Sequence, residues 1–155
     1  PLRGTFSRRE KGTSAGPVPA FSLETPRMQI SGIHHIAIIA SDYARSKRFY
    51  TEVLGLEILA EAYRNERDSW KLDLRVSDGV QIELFSFPSP PPRVSRPEAC
   101  GLRHLAFVVP DIEQAICRLR DHSIEVEPVR VDEYTGKRFT FFADPDELPL
   151  ELYEA

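Results

Sequence analysis

Apolar and polar positions follow the same order of patterns twice along the chain. Runs rich in Ile, Leu, Val and Phe at 33–40 and 102–109 predict β-strands. Each run ends at an aspartate, Asp42 or Asp111, which is a suitable N-cap for a helix. Apolar residues then recur at i, i+3 and i+4, which indicates amphipathic helices. The helices are predicted at 43–53 and 112–122.

Three short strands are predicted behind each helix. Gly79 and the sequence Asp144-Pro145-Asp146 mark tight turns before the last strand of each group. The six strands are predicted at 56–63, 70–76 and 80–85, and then at 126–131, 138–142 and 150–153. Each half of the chain therefore has the predicted order β-α-β-β-β.

The residues themselves also repeat. The segment GIHHIAIIASD (32–42) aligns with GLRHLAFVVPD (101–111) at an offset of 69 residues, and Gly, His, Ala and Asp recur at matching positions. QIELF (81–85) aligns with PLELY (149–153) at an offset of 68. The chain is thus predicted to contain a duplicated module. The two modules are placed at 30–87 and 100–155 within a domain of residues 28–155.

Two segments lack these patterns. Residues 1–27 contain scattered Gly, Pro, Ser and Thr and little to bury, which predicts a disordered leader rather than an organelle transit segment. Met28 follows directly, so the leader is either native or a remnant of an upstream start. Residues 88–99 are rich in proline, which predicts an extended linker between the modules rather than an SH3-type ligand.

Composition and charge narrow the class of protein. The 155 residues are 41% hydrophobic and 28% charged, as in an ordinary globular domain. A net charge of −4 makes nucleic acid an improbable partner, and no apolar run reaches the roughly 18 residues of a membrane span. Cys100 and Cys117 are too few for a disulfide framework and are expected to be buried free thiols. We therefore expect a cytoplasmic protein that acts on a small molecule.

Histidine and glutamate recur at equivalent places of the two modules. His35 precedes Glu83 by 48 residues, and His104 precedes Glu151 by 47. All four lie on predicted strands, so pseudo-symmetric packing is expected to bring two imidazoles and two carboxylates together. Such a set, with positions left open for water, suits a divalent ion such as Ni, Zn, Co, Mn or Fe.

A structural explanation exists for each residue taken alone. A single His on an apolar strand is usually a satisfied core residue, and a Glu between Ile82 and Leu84 can face solvent. The matched spacing in both modules favours the metal site. His34 and His122 are not expected to be ligands, because His34 lies on the opposite strand face and His122 at a helix end.

Four motifs together resemble the vicinal oxygen chelate superfamily, also called the glyoxalase, bleomycin-resistance and dioxygenase fold. They are HHIAIIASDYARSKRFYTEVLGLE, VQIELF, GLRHLAFVVPDI and FFADPDELPLELYE, and they span nearly all of 28–155. The resemblance implies an α+β fold in which two tandem βαβββ modules form a curved mixed sheet around a metal cleft, with helices outside. It also implies metal ligands, which would be His35, Glu83, His104 and Glu151.

Retention of both glutamates resembles the glyoxalase I subset, but two positions depart from it. Glyoxalase I usually has an Arg four residues after the first ligand His and an Asn four residues after the first ligand Glu, and both contact glutathione. The corresponding residues here are Ile39 and Phe87. The metal chemistry is therefore expected without the usual recognition of glutathione.

The resemblance and the ligand set predict a lyase-type or isomerase-type enzyme. It would transfer a proton on a small α-oxo or α-hydroxy carbonyl compound through a metal-stabilised enediolate, with Glu83 or Glu151 as the base. Two alternatives remain, an Fe(II)-dependent dioxygenase and a non-catalytic binding or resistance protein. A homodimer is possible, with the site inside one chain or shared between two.

Further residues are candidates for the substrate cleft. Apolar walls are expected from Ile39, Phe85, Phe87 and Phe107. A substrate carboxylate or phosphate is expected to meet a basic residue, because charge-assisted hydrogen bonds are strong. The candidates for that role are Arg64, Arg103, Lys137 and Arg138.

Overall fold

The polypeptide forms one supersecondary unit twice, and each copy builds its own four-stranded sheet. The computed structural model describes residues 28–155, so the predicted leader lies outside the described residues. The first module consists of β1 (His35–Ala40), α1 (Tyr43–Arg48), β2 (Glu57–Arg64), β3 (Ser69–Ser77) and β4 (Val80–Ser86). The second consists of β5 (Leu105–Val109), α2 (Ile112–Asp121), β6 (Arg130–Val131), β7 (Arg138–Ala143) and β8 (Pro149–Glu154).

The strand order confirms the predicted α+β class and the tandem modules. The first sheet has the order β1-β4-β3-β2 and the second the order β5-β8-β7-β6. In each sheet the first strand pairs in parallel with the last, and the other pairs are antiparallel. The two sheets are separate within one chain, because β1 and β5 are edge strands that are not hydrogen-bonded to each other.

Local chemistry explains where the helices begin and end. The Asp42 carboxylate accepts a hydrogen bond from the Arg45 N–H over 2.9 Å, and Asp111 accepts one from Gln114 over 3.0 Å, so both predicted caps are confirmed. The first helix is α-helical only to Arg48 and continues as a π-helical turn, Phe49–Val53. Gly55 then adopts φ +77°, a conformation that glycine favours, and the chain turns into β2.

The sixth strand is shorter than the pattern predicts. The predicted strand 126–131 contains only Arg130–Val131 in the structure. Glu127 donates one bridging hydrogen bond to the Phe141 carbonyl over 2.9 Å, but Pro128 has no N–H with which to continue a ladder.

Each sheet carries its helix on one face and leaves the other face open. Strand residues alternate between these faces, and the buried apolar ones lie on the helix-bearing side, whereas the buried polar residues Ser69 and Glu151 lie on the open side. The α2 helix buries Ile112, Ile116 and Leu119 against this side. The sheet residues that form the rest of the core are Ile38, Ala40, Leu72, Leu74, Ile82, Leu84, Phe142, Leu150 and Leu152.

The helix-bearing sides also provide contacts between the two modules. The rings of Phe49 and Phe142 lie 6.4 Å apart between centroids. Arg118 on α2 donates to the carbonyl of Val53 over 2.6 Å. The open faces contribute none of these contacts, so they are left available for a site.

A buried hydrogen bond joins the modules at the turn between β7 and β8. The Tyr50 hydroxyl, which is fully buried, donates to Asp144 Oδ2 over 2.8 Å. The other carboxylate oxygen accepts from the N–H groups of Asp146 and Leu148 over 2.9 and 2.8 Å. Burial raises the pKa of Asp144 above its ordinary value although these hydrogen bonds lower it, and burial together with Asp144 raises the pKa of Tyr50 well above its own.

Residues 88–99 form neither helix nor strand, and the Ser95 hydroxyl in this segment donates to the Glu147 carbonyl over 2.7 Å.

Cys100 and Cys117 are free, as predicted, but both are exposed rather than buried. On α2, the buried positions are taken by Ile112, Ile116 and Leu119, so Cys117 faces outward. None of the helices in the part of the chain that the structure describes is long and apolar enough to cross a membrane.

The buried tyrosine predicts a specific dependence of stability on pH. Above about pH 10 the tyrosines of the unfolded chain lose their protons, whereas the raised pKa keeps Tyr50 protonated in the folded state. The folded state then binds more protons, so the free energy of unfolding falls with rising pH, by up to about 1.4 kcal/mol per pH unit for this group. Tyr50→Phe should remove that part of the slope and cost about 1–3 kcal/mol at neutral pH.

Urea unfolding at neutral pH and at several values above about pH 9 provides the measurement. Tyr134→Phe is the matched control, because Tyr134 is 90% exposed and its loss should leave stability nearly unchanged. An unchanged alkaline slope in Tyr50→Phe contradicts the expectation.

Candidate metal centre

The first predicted pair of ligands lies on the open face of the first sheet. His35 opens β1, and its Nε2 atom lies 3.7 Å from Glu83 Oε2 on β4. The Nδ1 atoms of His34 and His35 are 2.9 Å apart, so one ring nitrogen of His35 is hydrogen-bonded and the other faces the carboxylate. A second hydrogen bond of this kind orients the ring of a metal-binding histidine.

The second pair lies on the open face of the second sheet. His104 Nε2 lies 3.0 Å from Glu151 Oε2, and Glu151 is buried, with 8% of its surface exposed. The guanidinium of Arg103 approaches His104 Nδ1 to 3.2 Å, and the ring of Phe141 meets the imidazole edge to face at 5.2 Å. A guanidinium has no acceptor, so Arg103 donates here and the proton of a neutral His104 lies on Nε2, toward Glu151.

The two pairs occupy the same register in their sheets. Glu83 lies opposite Ala37 on β1, and Glu151 lies opposite Ala106 on β5. Each histidine precedes that alanine by two residues and therefore shares its face. The repeat seen in the sequence thus corresponds to a repeat in space.

The third strand gives the two pairs different surroundings. Asp73 lies opposite Glu83, whereas Phe141 lies opposite Glu151. Lys71 Nζ forms an ion pair with Glu83 Oε1 at 3.0 Å and a second, closer one with Asp73. Burial lowers the pKa of Lys71, but the hydrogen bonds to Asp73 and Glu83 outweigh it and raise the pKa above its ordinary value. Lys71 is therefore charged at neutral pH.

Imidazole nitrogens and carboxylate oxygens of this kind fit a divalent transition ion. Each module brings one of each together on an open sheet face. Within residues 28–155 of one chain, however, no group of three or more His, Cys, Asp or Glu side chains is placed to hold a metal. The pairs are not gathered because the modules contact each other through their helix-bearing sides, and the four-ligand site stays a prediction.

A cavity of about 640 Å³ lies beside the second pair and includes His104 and Phe141 in its wall. Its wall carries four arginines and four glutamates, namely Arg93, Arg96, Arg103 and Arg130 with Glu98, Glu125, Glu127 and Glu147. Neither member of the first pair lines this cavity. It therefore offers space for a small molecule next to His104.

The predicted apolar walls divide between the two faces of the sheets. Ile39 is 53% exposed on the open face, and the rings of Phe85 and Phe87 stack there at 6.2 Å. Phe107 instead packs against the core on the helix-bearing side, so its prediction as a wall is wrong. It lies three residues after His104, and an odd separation on a strand places two side chains on opposite faces.

Sequence reasoning missed Lys71, which contacts Glu83. It named Arg103 only as a candidate for substrate binding and His34 only as a non-ligand, and did not foresee their contacts with His104 and His35. His34 and Arg103 directly precede the two histidines, and the available signal was this adjacency alone. Lys71 lies two residues from both Ser69 and Asp73 on β3, so strand alternation places all three on the open face. Only the pairing of β3 with β4 brings Lys71 to Glu83.

The family model of the Glyoxalase/Bleomycin resistance protein/Dioxygenase superfamily matches residues 32–152. The match covers both modules and both His–Glu pairs. The chain belongs to this superfamily, in agreement with the resemblance of its motifs.

Individual relatives agree with this membership. The uncharacterized protein YaeR of Escherichia coli K12 is 63% identical over 122 residues. The matched region spans 79% of this chain and 95% of YaeR. The crystal structure of a glyoxalase family protein from Enterococcus faecalis is 52% identical, with a TM-score of 0.75 over 82% of this chain and 100% of that one. A 2-epi-5-epi-valiolone epimerase from an Actinomyces species is 29% identical over 141 residues, 77% of each chain.

Proposed function

We propose that this protein is a metal-dependent isomerase or lyase that moves a proton on a small α-oxo or α-hydroxy carbonyl compound. The observation that supports it is the His–Glu pair that recurs in the same register on both open sheet faces. Membership of a superfamily with an epimerase among this chain's relatives agrees with proton transfer at carbon.

His35, Glu83, His104 and Glu151 would hold the ion, one of Ni, Zn, Co, Mn or Fe(II). A divalent ion in such a site polarises adjacent carbonyl and hydroxyl oxygens of a substrate and so acidifies the neighbouring C–H bond. The chain itself must then supply the group that takes this proton and returns it to the next carbon.

The surroundings of the two carboxylates favour Glu151 as that group. Both oxygens of Glu83 are engaged, Oε1 by Lys71 at 3.0 Å and Oε2 near His35 at 3.7 Å. Glu151 Oε2 meets His104, while no side chain or N–H group among residues 28–155 hydrogen-bonds to its Oε1. A base must reach the substrate with a free oxygen. We therefore assign the base to Glu151 and a holding role to Glu83.

A second copy of the chain supplies the simplest way to complete the site. The edge strands β1 and β5 have unpaired backbone groups on one side, within the described part of the chain. Each also exposes an apolar side chain at the same place of the repeat, since Ile39 is 53% and Val108 is 72% exposed. Free edges and exposed apolar side chains mark interaction surfaces. In our proposal, His35 and Glu83 of one copy meet His104 and Glu151 of another in a two-fold dimer.

Metal content and mixing of variants test the ligands and their sharing. His35→Ala and His104→Ala should each lose the divalent ion that the parent protein retains, because an incomplete ligand set binds much more weakly. Mixing the two variants under conditions of subunit exchange should restore binding. A mixed dimer has one site with both histidines and one with neither, so about a quarter of all sites recover at equal amounts.

Metal analysis after gel filtration is the measurement, and His122→Ala is the matched control, since His122 caps the end of α2. Full occupancy in the double variant His35→Ala/His104→Ala rules out the site. Loss of the ion without recovery on mixing places the site within one chain.

Exchange of a carbon-bound hydrogen with solvent tests the reaction. The metal-loaded protein in D₂O should incorporate deuterium at the α-carbon of at least one member of a panel of small α-hydroxy and α-oxo acids and sugar phosphates. Glu151→Gln should lower this rate by roughly 10²–10⁴, the usual contribution of a general base. Glu154→Gln is the control, because Glu154 bonds to Arg138 on the opposite face of β8.

Proton NMR of the substrate measures the exchange. Equal exchange rates in Glu151→Gln and the parent protein would show that Glu151 is not the base. Oxygen consumption with any panel member, in place of exchange, indicates the dioxygenase chemistry instead.

Glutathione adducts should be poor substrates. An arginine that binds a carboxylate contributes about 1.5–3 kcal/mol and an amide donor about 1 kcal/mol, and Ile39 and Phe87 provide neither. We expect kcat/KM for the hemithioacetal of methylglyoxal and glutathione to be roughly 10²–10³ below that of a dedicated enzyme. Steady-state kinetics measures it, and a value near about 10⁷ M⁻¹s⁻¹ makes the protein a glyoxalase I.

A further inference from the structure

We propose that Arg64 is the residue that recognises an anionic group of the substrate, a carboxylate or a phosphate, on the open face of the first sheet. The statement that the bound anion is part of the substrate rests on the proposed function. The anion site itself is inferred from the surroundings of Arg64 alone. It selects one of the four basic residues that the sequence offers for such a role.

The other three are already engaged. Arg103 forms an ion pair with Glu98 at 3.1 Å and contacts His104. Lys137 donates to the carbonyl of Ala155. Arg138 bonds to Glu154 and Glu113, both at 2.9 Å, and lies on the helix-bearing side of its sheet, away from the predicted ligands.

Arg64 has no such partner within residues 28–155. No carboxylate of this part of the chain lies within 4.0 Å of its guanidinium, whereas on the same face Lys71 has two such partners and Arg75 has one. Its Nη2 atom donates to the Ser69 hydroxyl over 2.7 Å, and its Nε atom is buried without a partner. A desolvated cation with unfulfilled donors costs free energy unless an anion compensates it.

Two phenylalanines hold the guanidinium in place. Its central carbon lies 4.7 Å from the ring centroid of Phe85 and 5.7 Å from that of Phe87. Such cation–π contacts fix the plane of the group and leave its edge for planar anions. Nη1 has no partner among the described residues and is not among the buried unpartnered atoms, so it keeps some contact with solvent.

The position of Arg64 relative to the predicted ligands allows one substrate molecule to contact both. Phe85 follows Glu83 by two residues on β4, so both side chains rise from the same face about 6.6 Å apart. Arg64 lies over Phe85, on the side of Glu83 away from His35. Phe87, which stands where glyoxalase I has its glutathione-binding Asn, here packs on Arg64. The substrate class is therefore a small α-oxygenated compound that carries a carboxylate or phosphate at its other end.

Anion binding to the metal-free protein tests the site without reference to catalysis. Inorganic phosphate and acetate, each titrated to tens of millimolar, serve as probes and distinguish the two anion types. In the parent protein the buried Nε–H signal of Arg64 should shift in ¹⁵N NMR with one of them. Arg64→Gln should weaken that binding at least about tenfold, which corresponds to 1.4 kcal/mol.

Arg64→Lys keeps the charge but loses the planar fork, and it should fall between the parent and Arg64→Gln. Arg138→Gln is the matched control, since it removes the same charge from the opposite side of a sheet and should change the affinity less than twofold. Binding of neither probe, or equal binding by Arg64→Gln, overturns the proposal. The NMR shift in the parent protein decides the matter even if a variant does not fold.

The outcomes separate this site from the proposed reaction. Anion binding that depends on Arg64, together with no solvent exchange on any anionic carbonyl compound, rejects the reaction and retains the site. Exchange that is unaffected by Arg64→Gln rejects the role of Arg64 in substrate recognition and retains the reaction.

Discussion

Each strand of the two sheets meets two environments, and the two-residue period of the β-strand assigns one set of side chains to each. On β4, Ile82 and Leu84 face the helix and are fully buried, while Glu83 between them faces outward with Phe85. The parallel pairing of β1 with β4 then fixes which outward residue of one strand meets which of the other. A shift of β4 by one residue in that pairing would turn Glu83 and Phe85 toward the core. The chemistry of the open face therefore depends on the tight packing of the opposite face.

Both modules carry this arrangement, but the surroundings of the two carboxylates differ. The aligned positions of the third strand are Lys71 and Asp73 in the first module but Phe139 and Phe141 in the second. The first open face is consequently polar and ion-paired around its carboxylate, whereas the second is aromatic and encloses its carboxylate more fully. In a shared centre, Glu83 would be held by its ion pair with Lys71, whereas Glu151 would keep one oxygen free of hydrogen bonds from the described residues.

The sequence predicted most of the fold because its signals are local. The capping residues Asp42 and Asp111 and the matched spacing of His35 with Glu83 each lie within one element or one repeat. Contacts that depend on the pairing of distant strands were not predictable in this way. Lys71 reaches Glu83 only through the register of β3 with β4, and Arg64 at the end of β2 meets Phe85 on β4 across the intervening β3. Phe107 was misplaced although alternation from His104 was sufficient to place it in the core.

The bond between Tyr50 and Asp144 has a consequence for how the polypeptide reaches its native state. Asp144 belongs to the turn that shapes the last hairpin of the second module, yet one of its oxygens is satisfied by a side chain of the first. A second module that forms alone leaves that oxygen without its donor in a poorly hydrated place. The duplicated halves therefore do not behave as two independent folding units, and their unfolding is expected to be a single cooperative event.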